Sequence, residues 1–172
     1  MFHTIGYRLC TVHRMNLSGK PSSNQEPHWK NKETSSMKAQ VKWVDSERFL
    51  GLTDSGNSVV MDADKEQKSA PSPMEMVLMG LGGCSSVDVV GILKKARQDV
   101  LDCHVDIQAE RVDAVPAVFH KIHLNFVVKG RNVKETQVKR AVDLSADKYC
   151  SVALMLGKGG VEITHSYEVI EA

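Results

Sequence analysis

Ser72-Pro73-Met74-Glu75-Met76-Val77-Leu78-Met79-Gly80-Leu81-Gly82-Gly83-Cys84-Ser85-Ser86-Val87-Asp88-Val89-Val90 is the stretch from which the rest of the chain can be ordered. Ser72 is a good helix N-cap, Pro73 suits the first helical position, and Glu75 completes a capping box with Ser72. From Met74 to Leu93 the only charges are Glu75 and Asp88. Apolar or small residues occupy every face, which predicts a long helix buried all round. The length also suits a membrane span. Against that, the segment holds Gly80, Gly82, Gly83, Ser85, Ser86 and Asp88, and a mid-span Asp is costly in lipid. No second apolar run of this kind follows, so no membrane role is expected. The pattern describes a central helix sheathed by sheets or by a partner subunit.

On the upstream side, Val41, Trp43 and Val44 lie in a strand-like run. Arg48-Phe49-Leu50-Gly51-Leu52 follows, then the turn-forming Asp54-Ser55-Gly56-Asn57, then Val59-Val60-Met61-Asp62. This predicts a three-stranded antiparallel meander, joined to the helix by a polar connector containing Pro71. On the downstream side, Val105, Ile107 and Ala109 alternate with Asp106, Gln108 and Glu110. Ile122, Leu124, Phe126 and Val128 alternate with Lys121, His123 and Asn125, and Val161, Ile163, His165, Tyr167 and Val169 with Glu162, Thr164, Ser166 and Glu168. Between the last two strands, Val133 to Asp143 is amphipathic through Val138, Ala141 and Val142. A short helix from Cys150 to Leu156 ends at Gly157-Lys158-Gly159-Gly160. The order βββ, long α, ββ, αα, β is a segregated α+β arrangement.

The chain has 172 residues, 42% hydrophobic and 25% charged, enough for one domain with a real core. Residues 1–36 carry five basic and two acidic side chains, leaving 17 basic and 19 acidic for residues 37–172. The mildly acidic main part gives no electrostatic footing for nucleic acid. Aromatic content of 5% argues against a stacking platform for bases or sugars. Residues 1–36, with Ser18-Gly19-Lys20-Pro21-Ser22-Ser23, have no strand or helix period and read as a disordered tail or an upstream extension. The domain is expected over residues 37–172. No secretory signal pattern opens the chain, and the four cysteines (Cys10, Cys84, Cys103, Cys150) form no CxxC pair. Both observations point to a cytoplasmic protein with reduced thiols and without a zinc ribbon.

Cys84 falls midway along the central helix, flanked by Gly82-Gly83 and Ser85-Ser86, so another element can approach its sulfur closely. Mid-helix placement forfeits the N-terminal dipole that favours a thiolate, and a buried thiol is commonly a packing group. Cys150 opens a second small-residue and apolar helix. Two thiols on two helices in a reducing compartment suit an attacking and a resolving pair. Spacing alone does not show that they meet. Asp88 lies one turn past Cys84 and is expected to accept from backbone amides or an arginine. No HxH, HxxxH or CxxC element supports a metal, and no glycine pattern supports a nucleotide. His104, His120 and His123 are expected to face solvent, and His165 to be a satisfied core residue.

The stretch from Ser72 to Val90, together with Cys150-Ser151-Val152-Ala153, resembles the OsmC/Ohr family, the osmotically inducible and organic hydroperoxide resistance proteins. The resemblance spans about residues 37–172, and the continuation through Ile92-Leu93-Lys94-Lys95 is similar to a less studied branch. It implies an intertwined homodimer in which antiparallel sheets from both chains wrap two long central helices. It also implies a peroxidase without haem, metal or flavin. Cys84 would attack an organic hydroperoxide, Cys150 would resolve the sulfenic acid as a disulfide, and a dithiol reductant would restore both. Arg48, in the meander, matches the family arginine that stabilises the attacking thiolate. The family glutamate that orients this arginine directly follows the proline. Here Met74 holds that position and Glu75 comes about 100° further round the helix. Near Cys150, Asp147 and Ser151 replace the family's histidine and proline.

Two other readings stay open on the residues. The same dimer could bind an apolar or thiol-reactive small molecule at an interface pocket around Cys84 without turning over peroxide. Alternatively, both cysteines could be core packing, with Cys84 unreactive until the protein unfolds.

Overall fold

The computed structural model describes residues 36–172. The expectation of a disordered tail therefore falls, except for its last residue, outside the described part. Strands β1 (Ala39–Asp45), β2 (Arg48–Thr53) and β3 (Ser58–Asp62) form the expected antiparallel meander. Pairs such as Trp43 with Phe49 and Leu50 with Val60 set its register. Gly56 occupies the left-handed region (φ 86°) in the turn after β2, where a side chain would be strained. Trp43 and Val41 remain 62% and 61% exposed, so among the described residues nothing covers that side of the meander.

Helix α1 (Pro73–Lys95) begins at Ser72 with both halves of the capping box in place. The Glu75 amide donates to Ser72 Oγ at 3.3 Å, and the Ser72 amide donates to Glu75 Oε2 at 2.7 Å. Lys94 and Lys95 close the last turn, where cations interact favourably with the negative end of the helix dipole. Leu81, Gly82, Ser85, Val89 and Leu93 form a buried stripe at helical spacing. At Gly82 a Cβ would stand 2.8 Å from Ile107 Cδ1, so the absence of a side chain lets the helix lie close on the second sheet.

Burial of α1 on every face is not observed within one chain. Met79, Gly80, Gly83 and Val87 lie open, with Val87 74% exposed. Among the described residues, sheet and helices meet the opposite stripe. Among the described residues α1 is long and apolar enough to cross a membrane, with a hydropathy of 1.8. Its packed stripe accounts for part of that composition.

The second sheet contains β4 (Asp99–Arg111), β5 (Phe119–Arg131) and β6 (Glu162–Glu171), in that spatial order. β4 and β5 pair antiparallel, whereas β5 and β6 pair parallel, so the sheet is mixed and the expectation of antiparallel sheets holds for the meander and for β4–β5 alone. The connection explains the difference. Helix α2 (Glu135–Leu144), a π-helical turn (Ser145–Tyr149) and helix α3 (Ser151–Lys158) carry the chain back to the starting end of β5. Ile122, Leu124, Phe126 and Val128 on the inner face of β5 are buried with Leu81, Val89 and Leu93 of α1 and Val138, Ala141 and Val142 of α2. This single cluster is the core, and both α1 and the start of α3 are fixed against it.

Candidate functional site

Cys84 sits on the half-buried flank of α1, and Cys150 is the N-cap of α3, fully buried. The fold brings the two together although they are far apart in sequence. The π-helical turn ends at Tyr149 and delivers Cys150 in an extended conformation (φ −68°, ψ 102°) against the middle of α1. There Ser85 Oγ lies 3.2 Å from Cys150 Sγ, and the Ala153 amide donates to the same sulfur at 3.4 Å. Burial pushes the Cys150 thiol above its ordinary pKa. The Ser85 hydroxyl and the Ala153 amide oppose that shift, and the neighbouring Cys84 adds to it. Both thiols are free.

Serines missed by the sequence reading frame these thiols. Ser85 is 1% exposed and Ser145 is fully buried. Ser145 Oγ lies 3.1 Å from the Ser85 carbonyl and 3.3 Å from Asp88 Oδ2, so it ties the π-helical turn to α1. Asp88 was expected to accept from backbone amides or an arginine; its hydrogen-bond partner is this hydroxyl. The only sequence signal for Ser85 was its place beside Cys84, where a small residue reads as packing.

Arg48 opens β2. Its guanidinium is held in a two-point pair by Asp45, with both N–O distances 2.6 Å, which raises its pKa; Asp62 contributes more weakly. Within one chain its hydrogen bonds go to Asp45 and neither cysteine contributes to the shift. Glu75 is likewise committed to Ser72 and to Lys68 Nζ, at 2.7–2.8 Å. That set of donors pulls its carboxyl down to about 2. It caps the helix and has no contact with Arg48 to orient it.

Beyond Asp88 a half-open groove of about 620 Å³ runs between α1 and α2, bordered by Val87, Asp88, Ile92, Arg140, Leu144 and Tyr149. Of the histidines, His104 and His120 are exposed as expected. His123 is not free in solvent. Its ring nitrogens meet Thr164 Oγ1 at 2.8 Å and Ser166 Oγ at 2.9 Å, because parallel β6 lies alongside β5. His165 is satisfied by Asp143 Oδ1 at 3.2 Å. Among the described residues no three His, Cys, Asp or Glu side chains converge as metal ligands do.

The family model for OsmC-like protein matches residues 64–166, which include both thiols and the whole of α1. Protein YhfA of Escherichia coli (strain K12) is 58% identical over 136 residues, covering 79% of this chain and 100% of YhfA. A crystal structure of a hypothetical protein from Aquifex aeolicus VF5 aligns with a TM-score of 0.72 at 30% identity, over 81% of this chain and 99% of that one. The organic hydroperoxide resistance protein OsmC of Legionella pneumophila shares the fold, with a TM-score of 0.61 at 12% identity over 80% of this chain and 99% of its own. The family model spans more than half of the chain and YhfA is matched along its whole length, so this chain belongs to the OsmC-like protein family.

Proposed function

We propose that the protein is a thiol peroxidase that reduces organic hydroperoxides, acting as a homodimer in the cytoplasm. The observation that carries the reading is the meeting of two free thiols, one half-buried on α1 and one held at the N-cap of α3. The Cys84 thiolate attacks the terminal oxygen of ROOH. The O–O bond breaks, RO⁻ takes a proton and leaves as alcohol, and Cys84 becomes a sulfenic acid. Cys150 sulfur then attacks Cys84 sulfur. The S–O bond breaks, the Cys150 proton joins the departing oxygen as water, and a disulfide remains. A dithiol reductant reduces that disulfide and is itself oxidised. No metal or prosthetic group enters these steps.

Membership of the family supports this reading, as does the fold shared with a hydroperoxide resistance protein of Legionella pneumophila. A second copy is the natural cover for Met79, Gly80, Gly83 and Val87 on α1 and for Trp43 on the meander, all apolar or small and all open in the single chain. Arg48 has the task of holding the Cys84 thiolate across that interface, after exchanging its pairing with Asp45.

The test is the mass of the reduced protein before and after one equivalent of cumene hydroperoxide, with peptide mapping. The expected product has lost two hydrogens through a Cys84–Cys150 bond, and Cys84→Ser abolishes peroxide consumption. Free thiols beside unconsumed peroxide overturn the reading. The second reading then stands, a dimer that binds an apolar or thiol-reactive small molecule around Cys84 without turning over peroxide, and the groove between α1 and α2, which no cysteine lines, favours its apolar form. Ligand binding that persists in Cys84→Ser is its signature.

A further inference from the structure

We propose that Ser85 is a positioning residue for the resolving step, holding the Cys150 sulfur and donating a hydrogen bond to it as its proton departs; this rests on the peroxidase reading for the reaction it serves. Ser85 projects from the buried stripe of α1, and its Oγ lies 3.2 Å from Cys150 Sγ and 2.8 Å from the Leu81 carbonyl. A hydroxyl has one proton, so it can satisfy only one of those acceptors at a time. With Cys150 as a thiol, S–H donates to Ser85 Oγ and the serine proton rests on Leu81 O. With Cys150 as a thiolate, the serine proton turns to the sulfur. Leu81 O then keeps its ordinary bond from the helix amide four residues on, so the rotation strands no buried group.

This rotation meets the need of a sulfur buried from water. A charged group out of solvent requires donors in place, and the Ala153 amide supplies one that cannot move. Ser85 supplies the second, and its donation appears only in the ionised state. Ser145 bonds the Ser85 carbonyl and so fixes α1 against the turn that carries Cys150. The resolving step itself balances: Cys150–SH and Cys84–SOH give the disulfide and water. The sulfenic sulfur is reduced, the Cys150 sulfur is oxidised, and Ser85 is unchanged at the end.

Two measurements on the full chain decide the proposal. The first needs no peroxide. In a Cys84→Ala background, thiolate formation at Cys150 is followed by ultraviolet absorbance against the same chain lacking Cys150. Ser85→Ala is expected to move the midpoint up by about one pH unit, a thiolate fraction about tenfold lower. An unchanged midpoint overturns the proposal. Alanine favours a helix, so the variant is expected to fold, and its thermal transition checks that. The second uses both cysteines and one equivalent of cumene hydroperoxide. Sulfenic acid formation at Cys84 is expected to keep its rate while the disulfide forms about tenfold more slowly, so that dimedone traps Cys84 in Ser85→Ala. Equal slowing of both steps, or of neither, overturns it. A wild-type chain that consumes no peroxide overturns the peroxidase reading, while the titration still decides whether Ser85 serves Cys150.

Discussion

Cys150 joins two opposed influences, since it is fully buried, which resists charge, and its sulfur lies within hydrogen-bond reach of the Ser85 hydroxyl and the Ala153 amide, which invites it. Burial wins, and the thiol stays above its ordinary value of 9.0. The resolving step is therefore expected to quicken by about tenfold per pH unit through neutral pH, following the thiolate fraction, and to level only above pH 9. Stopped-flow measurement of disulfide formation from preformed Cys84 sulfenic acid checks this, and a rate flat between pH 6.5 and 8, about the range tested, rejects it. At the other end of α1, Ser72→Ala is expected to cost about 1 kcal/mol, read as a lower denaturant midpoint. The Glu75 carboxyl is depressed to about 2, so what it adds to stability is complete above its unfolded value of 4.5 and is lost as pH falls toward 2. Glu75→Gln should flatten that acid limb. The capping box was legible because both partners lie within four residues. Ser85 was not, because its partner lies 65 positions away and a serine beside a glycine pair reads as packing.

At the scale of elements, one glycine shows how close α1 lies to the second sheet. A Cβ at Gly82 would meet Ile107 Cδ1 at 2.8 Å and Val105 Cγ1 at 3.1 Å, both ends of side chains that can give only by loosening the core. Alanine improves helix propensity by about 1 kcal/mol, and overpacking costs about 1–3 kcal/mol. Gly82→Ala is therefore expected to be destabilising by about 1 kcal/mol, measured by urea unfolding. A gain in stability would mean that the sheet moves freely against the helix. The number and order of strands and helices were readable from alternation and helical spacing. The direction of β6 was not, because alternation is the same in parallel and antiparallel strands and two helices of unknown crossing intervene. The π-helical turn was equally hidden, since Ser145-Ala146-Asp147-Lys148-Tyr149 contains no Gly or Pro to mark it. That turn sets Cys150 against Ser85, so the part of the site that escaped the sequence is the part built by irregular backbone.

The whole molecule is where burial on every face of α1 was expected, and one chain leaves Met79, Gly80, Gly83 and Val87 uncovered. Met79, Gly83 and Val87 recur four apart on one ridge with Gly80 beside it, and among the described residues a Cβ at Gly80 or Gly83 would meet nothing within 4 Å. Small residues on such a ridge let a second helix approach closely. In the proposed dimer Val87, 74% exposed in the chain, becomes an interface residue. Val87→Lys separates the two cases. On a surface facing water it should alter stability by less than about 0.5 kcal/mol. At a dimer seam it places a charge without a partner against its own symmetry mate, so the expected outcome is a monomer by sedimentation velocity at concentrations where the wild type is a dimer. Peroxide consumption should fall with the dimer, because Arg48 reaches Cys84 only across the seam in this reading. A wild type that sediments as a monomer removes the dimer. A Val87→Lys monomer that keeps full activity removes the assignment of Arg48 to the partner's thiol.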